Sequence, residues 1–170
     1  MDLTAGNVTV RTDVAGSAAR VGHRLTIGVD DWSATVDMVR GKPKAVSFRA
    51  ALGSLQVRSG SGGVTPLTAV DKQVIKRNAT KTLQVGEYPE VTFGSETVTV
   101  DGSRVDVSGA LTIHGVTLGL DATLTLDGTR VTGSIPVRQT DFGIRPYSLM
   151  LGQLKVADEV VVDLDLELPD

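Results

Sequence analysis

The chain of 170 residues contains no cysteine and only two histidines. The absence of cysteine excludes disulfides, thiolate metal sites, iron–sulfur clusters and cysteine nucleophiles, and two histidines are too few for a His-rich metal site. Positive charge is also scarce, since 17 Lys and Arg stand against 20 Asp and Glu, for a net charge of -3. A chain with this balance lacks the overall basic field that holds nucleic acids or anionic membrane surfaces, so we predict no nucleic-acid partner.

Long apolar runs are missing as well. No stretch approaches the ~18 consecutive apolar residues of a membrane-spanning helix, so we expect no stable membrane insertion. The first residues, Met1-Asp2-Leu3-Thr4, lack the basic and apolar regions of a secretory signal, which predicts a cytoplasmic protein. A length of 170 residues suits one domain that spans residues 1–170.

The sequence contains none of the motifs that mark common enzyme classes. No serine lies in a Gly-x-Ser-x-Gly frame, and the glycine-rich stretch at residues 59–63 lacks the Lys and Ser/Thr of a phosphate-binding loop. The paired carboxylates Asp30-Asp31 and Asp158-Glu159 occupy positions typical of turns. We therefore predict no catalytic residue, no metal and no cofactor.

The chain does contain a regular alternation of apolar and polar side chains, interrupted by 19 glycines. A period of two is typical of strands with one dry face. Asp101-Gly102 and Asp127-Gly128 separate such runs and predict two-residue hairpin turns. The sequence yields eight candidate strands, which include residues 8–14, 19–29, 32–38, 46–52 and 160–168. These strands must stack as a sandwich or close as a barrel, because an open sheet leaves its edges unpaired.

One segment departs from this alternation. In residues 65–82 the apolar side chains Leu67, Val70, Val74 and Ile75 recur at helical spacing. Thr68 and Asp71 stand three residues apart, as a helix-capping pair does, and Lys72, Lys76 and Arg77 are predicted to face away from the apolar stripe. The pattern predicts one amphipathic helix inserted between strands.

A few polar residues are candidates for a functional site. His23 alone interrupts the apolar face of its strand, which allows either a core histidine with one hydrogen bond or a polar contact to a ligand inside a barrel. His114 precedes Gly115 and is predicted to lie at a strand end, where it caps a turn. Residues 138–147 mix charge and aromatic rings, which fits either a bulged corner or a barrel mouth where Arg145 or Tyr147 meets a polar head group.

Four motifs give the chain a resemblance to a known family. They occur in the expected order at residues 21–23, 87–93, 109–117 and 140–144, and the stretch Leu111-Thr112-Ile113-His114-Gly115 is the most specific. In these motifs the chain resembles the YceI-like family of polyisoprenoid-binding proteins. The resemblance implies an all-β fold, an eight-stranded antiparallel, lipocalin-like barrel with one amphipathic helix inserted between strands. It also implies an elongated apolar cavity for a polyprenyl or other long-chain lipid, in proteins that are often secreted to the periplasm.

Two features differ from the common family pattern. The stretches 71–75 and 81–85 replace the usual Arg-Asp pair and the Phe-rich segment ahead of Tyr-Pro, and the first residues do not resemble the leader expected of secreted members. The leading hypothesis is a carrier of an isoprenoid or other long-chain lipid, such as a quinone, a polyprenyl phosphate or a fatty acyl amide, without chemistry. The alternatives are an enzyme that acts on a lipid through His23 or His114, and a structural barrel filled by its own side chains.

The predicted ligand contacts share inward parity on a strand or a place at the mouth of the barrel. They are His23, Leu25, Trp32, Val36, Met38, Phe48, Leu52, Phe93, Leu111, Ile113, Phe142, Arg145 and Tyr147. The sequence leaves a homodimer open.

Overall fold

The structure, a computed structural model, describes residues 1–169. It contains one α-helix, α1 (Ala69–Thr82), and fourteen strands. The strands are β1 (Asp2–Leu3), β2 (Ala5–Arg11), β3 (Val14–Ala15), β4 (His23–Val29), β5 (Trp32–Val39), β6 (Lys42–Ala51), β7 (Leu55–Gly62), β8 (Glu90–Asp101), β9 (Arg104–Ile113), β10 (Val116–Asp127), β11 (Arg130–Arg138), β12 (Ser148–Leu149), β13 (Leu154–Val156) and β14 (Glu159–Glu167).

Most of the strands form one curled antiparallel sheet in the order β1-β5-β6-β8-β9-β10-β11-β14-β2-β4-β7. β4 and β5 are two halves of one strand bent at Asp30-Asp31, and β6 and β7 are halves of another, bent at the 3-10 helix Leu52–Ser54. β4 pairs with β7 and β5 pairs with β6, so this long bent hairpin joins the two ends of the sheet. The predicted antiparallel, lipocalin-like fold is confirmed, whereas the strand count differs slightly from the predicted eight, since the sheet retains nine strands when each bent strand is counted once.

Two predicted strands have different bounds in the structure, since one is shifted by three residues with the same length and the other is shorter. The strand predicted at residues 8–14 ends at Arg11, because Val14 pairs instead with Val156 in a separate three-stranded sheet, β12-β13-β3. The strand predicted from residue 19 begins at His23, since Ala19–Val21 forms a 3-10 helix.

Both predicted hairpins are present, with the turn one residue later than expected. The turn residues are Gly102-Ser103 and Gly128-Thr129, and the aspartate before each pair ends its strand. Gly102 and Gly128 have φ of 58° and 61°, in the left-handed region that glycine adopts without a Cβ clash. A third turn, Arg40-Gly41, connects β5 and β6. These three turns lie together at what we call the hairpin end of the barrel.

Helix α1 covers the opposite end, which we call the helix end. Its start is confirmed as a capping box, in which the Thr68 hydroxyl accepts from Asp71 N (3.1 Å) and the Asp71 carboxylate accepts from Thr68 N (2.8 Å). These hydrogen bonds lower the pKa of Asp71, because they favour its charged form. Within residues 1–169, no helix combines the length and apolar character needed to cross a bilayer.

The side of α1 that faces the barrel matches the predicted apolar stripe only in part. Ile75 and Ala79 line the interior, whereas Val70 and Val74 are exposed. Lys72, predicted to face away, lies against the barrel and donates its ammonium proton to Arg58 O (3.1 Å). The helix therefore crosses the barrel end with a mixed face of apolar and small polar side chains inward, and a purely hydrophobic stripe could not identify that face.

Candidate functional site

The barrel interior holds two adjoining cavities. The one toward the hairpin end has a volume of about 370 Å³, and all of its lining residues are Val, Leu, Ile, Met, Ala, Phe or Pro. Met38 and Val100, at its outer rim, are both exposed. The inward parity of β5, β6 and the hairpins after α1 produces this lining, because alternate side chains of each strand point to the same face.

The cavity toward the helix end has a volume of about 270 Å³ and a mixed lining. Apolar side chains such as Leu25, Leu52 and Ile75 make up most of it. Its polar members are Thr12, Asn78, Thr82, Gln139 and Tyr147. No Lys, Arg, Asp, Glu or His is among the described residues that line either cavity.

The polar groups of this second cavity are held in place by hydrogen bonds. Asn78 Nδ2 on α1 donates to Tyr147 Oη at 3.1 Å, which ties the helix to the segment before β12. The buried Gln139 donates from Nε2 to Ala157 O at 3.0 Å. The Gln139 carbamoyl oxygen and the Tyr147 hydroxyl proton keep free hydrogen-bonding capacity for a polar group placed between them.

The two cavities share part of their walls. Five side chains line both, and they are Phe48, Val91, Ile113, Val137 and Val162. An elongated molecule that passed these side chains would have its length in the apolar hairpin-end cavity and one end beside the polar groups near α1.

Nine of the thirteen predicted contacts line a cavity. Val36, Met38, Phe93 and Leu111 line the hairpin-end cavity, whereas Leu25, Leu52 and Tyr147 line the helix-end cavity, and Phe48 and Ile113 line both.

Trp32 is buried but lines neither cavity. Its ring stacks on Phe48, with ring centroids 6.2 Å apart and an interplanar angle of 20°. Trp32 thus supports a cavity wall from behind, because the Phe48 ring stands between the indole and the open space. Sequence parity predicted its burial, and only the packing of β5 on β6 decides that another ring intervenes.

Three other predicted contacts line neither cavity. His23 shares the parity of Leu25, but it is the first residue of β4 and its Nε2 lies 2.6 Å from Thr65 O, beneath the loop that precedes α1. Phe142 is buried in the core beside the barrel, and Arg145 is exposed. The sequence reasoning missed Asn78, Thr82 and Gln139, because polar residues of a helix or a strand end carry no periodic signal that marks them as cavity-lining.

Comparisons with known proteins agree with this barrel fold. The sequence model of the YceI-like domain matches residues 4–168. The chain belongs to the YceI-like family. A comparison with curated proteins finds no match.

Solved structures agree on the fold of this YceI-like chain. Burkholderia cenocepacia BcnA superposes with a TM-score of 0.65 at 18% identity, over 94% of each chain. The Campylobacter jejuni YceI protein superposes with a TM-score of 0.64 at 14% identity, over 85% of this chain and 84% of that one. At such identities the similarity establishes the fold alone.

Three of the four YceI-like motifs meet in one cluster beside the helix-end cavity. The Tyr88 and His114 rings lie with centroids 4.5 Å apart, and a Cβ on Gly115 would fall 2.8 Å from Tyr88 Cε1. His114 Nδ1 lies 3.3 Å from Phe142 O and Nε2 lies 2.6 Å from Gln84 Oε1. Both ring nitrogens are thus engaged with the protein, which matches the structural role predicted for His114.

Tyr88 is the member of this cluster whose pKa is shifted by a neighbouring charge. Glu87, through its charge and a hydrogen bond, raises the pKa of the Tyr88 phenol, so the phenol stays protonated. In residues 1–169, no three His, Cys, Asp or Glu side chains come together as ligands for a metal ion.

Proposed function

We propose that this YceI-like protein binds one long-chain lipid, such as an isoprenoid, with its tail in the hairpin-end cavity and an uncharged head group at the helix end. The observation that carries the proposal is the pair of adjoining cavities, of about 370 and 270 Å³, with shared apolar walls. Sites for small molecules commonly begin at about 300 Å³ and combine an apolar lining with a few polar groups.

The lining favours a neutral head group. A phosphate placed between Asn78, Gln139 and Tyr147 would be removed from water without a cationic partner, which costs several kcal/mol. A quinone oxygen or an amide carbonyl needs only a hydrogen-bond donor, and the Tyr147 hydroxyl can supply one. Among the three ligand classes considered from the sequence, quinones and fatty acyl amides therefore rank above polyprenyl phosphates.

The tail alone supplies enough free energy for useful binding. Each buried methylene contributes about 0.8 kcal/mol before ordering costs. Ligands of this size retain only about 0.3 kcal/mol per heavy atom, so a chain of roughly 30 to 40 carbons reaches micromolar to nanomolar affinity. The polar groups near α1 then select the head group rather than hold the molecule.

We further propose that the bound lipid undergoes no reaction. His23 and His114, the two candidates for acid–base chemistry, lie outside both cavities and are bonded to Thr65, Gln84 and Phe142. Turnover of a candidate lipid by the purified protein would restore the enzyme hypothesis. A barrel filled by its own side chains is disfavoured by the volume of the two cavities.

Native mass spectrometry of freshly purified protein, followed by solvent extraction, tests the proposal. We expect a mass increase that corresponds to one lipid and disappears after extraction. The delipidated protein should then bind a long-chain quinone or acyl amide more tightly than a polyprenyl phosphate of equal chain length. No saturable binding of any of the three, to protein with a native circular dichroism spectrum, would overturn the proposal.

A further inference from the structure

The helix end carries a surface that the lipid cavities do not use. Three segments form it, residues 12–24, 62–82 and 145–157, and we call it the portal face. The second segment contains α1, and the third contains Tyr147 and the β12–β13 hairpin. The Asn78–Tyr147 hydrogen bond already described joins these two segments at the wall of the helix-end cavity.

The first segment contacts both of the others. Ala18 N donates to Gln153 O at 2.8 Å, and His23 Nε2 lies 2.6 Å from Thr65 O. The three segments therefore form one continuous surface around the outer side of the helix-end cavity.

Positive charge is strongly concentrated on the portal face. Its three segments contain eight of the 17 Lys and Arg but only two of the 20 Asp and Glu, which leaves nine cations and eighteen acids on the rest of the chain. Both acids are engaged, since Asp13 pairs with Arg24 (2.8 Å) and Asp71 caps α1. Asp158, just beyond the third segment, accepts hydrogen bonds from Thr140.

This concentration gives the molecule a positive face that its net charge conceals. Even when the exposed Asp141 and the half-buried Asp158 at the margin are counted, Lys and Arg outnumber acids on the portal face by eight to four. A field of this kind attracts anionic surfaces within about a Debye length.

The portal face also presents exposed apolar side chains on a hairpin loop. Between β12 and β13, Met150, Leu151 and Gly152 have φ of 53°, 55° and 86°. The left-handed region costs a non-glycine residue about 1 kcal/mol or more, so two such residues in a row are unusual. The result is that Leu151 is fully exposed, at 105%, and Met150 is exposed beside it.

Helix α1 carries two further exposed apolar side chains on the portal face. Val70 and Val74, one turn apart, are 72% and 47% exposed. They lie next to each other on the exposed side of α1, because residues four apart lie one above the other on a helix. Exposed apolar groups surrounded by Lys and Arg are the pattern of proteins that bind at a membrane interface.

From these observations we propose that the portal face docks the protein on an anionic lipid bilayer, with Met150 and Leu151 inserted at the headgroup level. The proposal goes beyond the lipid-binding function, since docking requires no bound ligand. A nucleic acid would bind the same cations, but its charged backbone would not bury the exposed Met150 and Leu151 side chains. A bilayer can both attract the cations and bury the apolar side chains, so it is the partner that fits.

Vesicle flotation with delipidated protein tests the docking. We expect the protein to float with vesicles of equal parts phosphatidylcholine and phosphatidylglycerol, to remain unbound with pure phosphatidylcholine vesicles, and to dissociate as salt is raised. Replacing Arg145 and Lys155 by Gln should weaken the partitioning about thirtyfold, since each basic residue near an anionic surface contributes about 1 kcal/mol and every 1.4 kcal/mol corresponds to a factor of about ten.

A second variant tests the apolar tip. Met150→Asn with Leu151→Asn should also weaken partitioning by about tenfold, because the insertion of apolar side chains is lost, while Asn tolerates the left-handed backbone. The matched controls lie at the hairpin end, where Arg40→Gln with Lys42→Gln removes the same charge and Val39→Asn removes an exposed apolar group. Both controls should bind as the unmodified protein does.

Three results would overturn the docking proposal. The first is equal flotation with both vesicle types. The second is a loss of vesicle binding in the hairpin-end controls as large as in the portal-face variants. The third is tighter binding to a DNA duplex than to the anionic vesicles. Since flotation with vesicles does not measure whether the cavities are occupied, each of these results leaves the lipid-binding proposal intact.

Discussion

Single side chains in this protein have sharply different roles according to the side of the sheet on which they lie. Leu111 is buried and lines the hairpin-end cavity, whereas Thr125 on the adjacent strand is exposed. Both positions are in regular antiparallel strands, so a difference between them measures the environment of the side chain rather than the backbone.

We expect Leu111→Asp to unfold the protein. The substitution places a carboxylate without a partner in an apolar interior, which costs several kcal/mol and exceeds what a domain of this size tolerates. Thr125→Asp should change the free energy of unfolding by less than about 1 kcal/mol. Urea titrations followed by circular dichroism measure both, and similar effects for the two variants would show that the assigned strand faces are wrong.

Two small residues mark where the cavities can be filled. Ala34 lines the hairpin-end cavity and Ala50 the helix-end cavity. Ala34→Trp or Ala50→Phe should weaken lipid binding and cost about 1–3 kcal/mol of stability, because the added ring occupies ligand space. Ser47→Phe, at an exposed outward position next to Phe48, is the control that should leave lipid affinity unchanged. Unaltered affinity in the cavity variants, measured by calorimetry, would place the ligand elsewhere.

At the scale of elements, the outer face of the β2–β14–β11 region is stabilised by ion pairs. Arg130 forms a bidentate pair with Asp165, at 2.6 and 2.7 Å, and Arg11 pairs with Asp163. Ser134 also donates to Asp163 at 2.5 Å. The sequence predicted that acidic residues mark the outer face of β14, and the structure adds that arginines of both neighbouring strands neutralise them.

These pairs predict a loss of stability in acid. Hydrogen bonds from Arg11 and Arg130 lower the pKa values of Asp163 and Asp165 below those of the unfolded chain. The folded state therefore binds protons less readily, so the stabilisation is present above the ordinary carboxyl pKa and disappears as pH falls through the lowered values. Urea titrations between pH 6 and pH 2 should show this loss, with a shallower pH dependence in Asp163→Asn. Identical pH profiles for the variant and the unmodified protein would contradict the prediction.

Helix α1 depends on its first turn. Thr68→Ala removes the side-chain half of the capping box and should cost about 1 kcal/mol of unfolding free energy, whereas Thr68→Ser should retain most of it. Because Asn78 and Ala79 of α1 line the helix-end cavity, the Ala variant should also release bound lipid faster. Stopped-flow displacement measures that rate, and equal rates for Thr68→Ala and Thr68→Ser would show that α1 does not control access.

At the scale of the whole molecule, the bent hairpin from β4 to β7 unites the two cavities. Its β5–β6 half lines the hairpin end, its β4–β7 half lines the helix end, and Phe48 borders both cavities. One ligand that occupied both cavities would therefore contact a single continuous wall. This geometry favours a stoichiometry of one lipid per barrel.

Trp32 should report that stoichiometry. It is the only tryptophan, and it stacks on Phe48 at the junction of the cavities. A titration of delipidated protein with a long-chain quinone should change the Trp32 emission and saturate at one equivalent. Phe48→Leu keeps an apolar wall but removes the stack, so it should reduce the signal more than the affinity. Saturation at two equivalents would mean that the cavities bind separate molecules.

The sequence by itself determined the features that depend on short-range patterns. Alternation fixed which face of each strand is buried, the Asp-Gly pairs located two hairpins, and Thr68 with Asp71 located the start of α1. These signals are local, because side-chain parity and turn conformation depend on residues only a few positions apart. They left a sandwich or a barrel open, and the resemblance of the four motifs to the YceI-like family implied the barrel. Nine of the ligand contacts predicted on that basis line its cavities.

The tertiary structure alone decided what depends on distant segments. It stacked Trp32 on the cavity-lining Phe48 and placed the His23 ring within hydrogen-bonding distance of Thr65 O. It also made Asn78 and Gln139 part of the cavity wall. It also gathered eight basic residues from three separate segments onto one face of a chain whose net charge is negative. Composition adds charges without regard to position, whereas a surface field depends on where the folded chain brings them together.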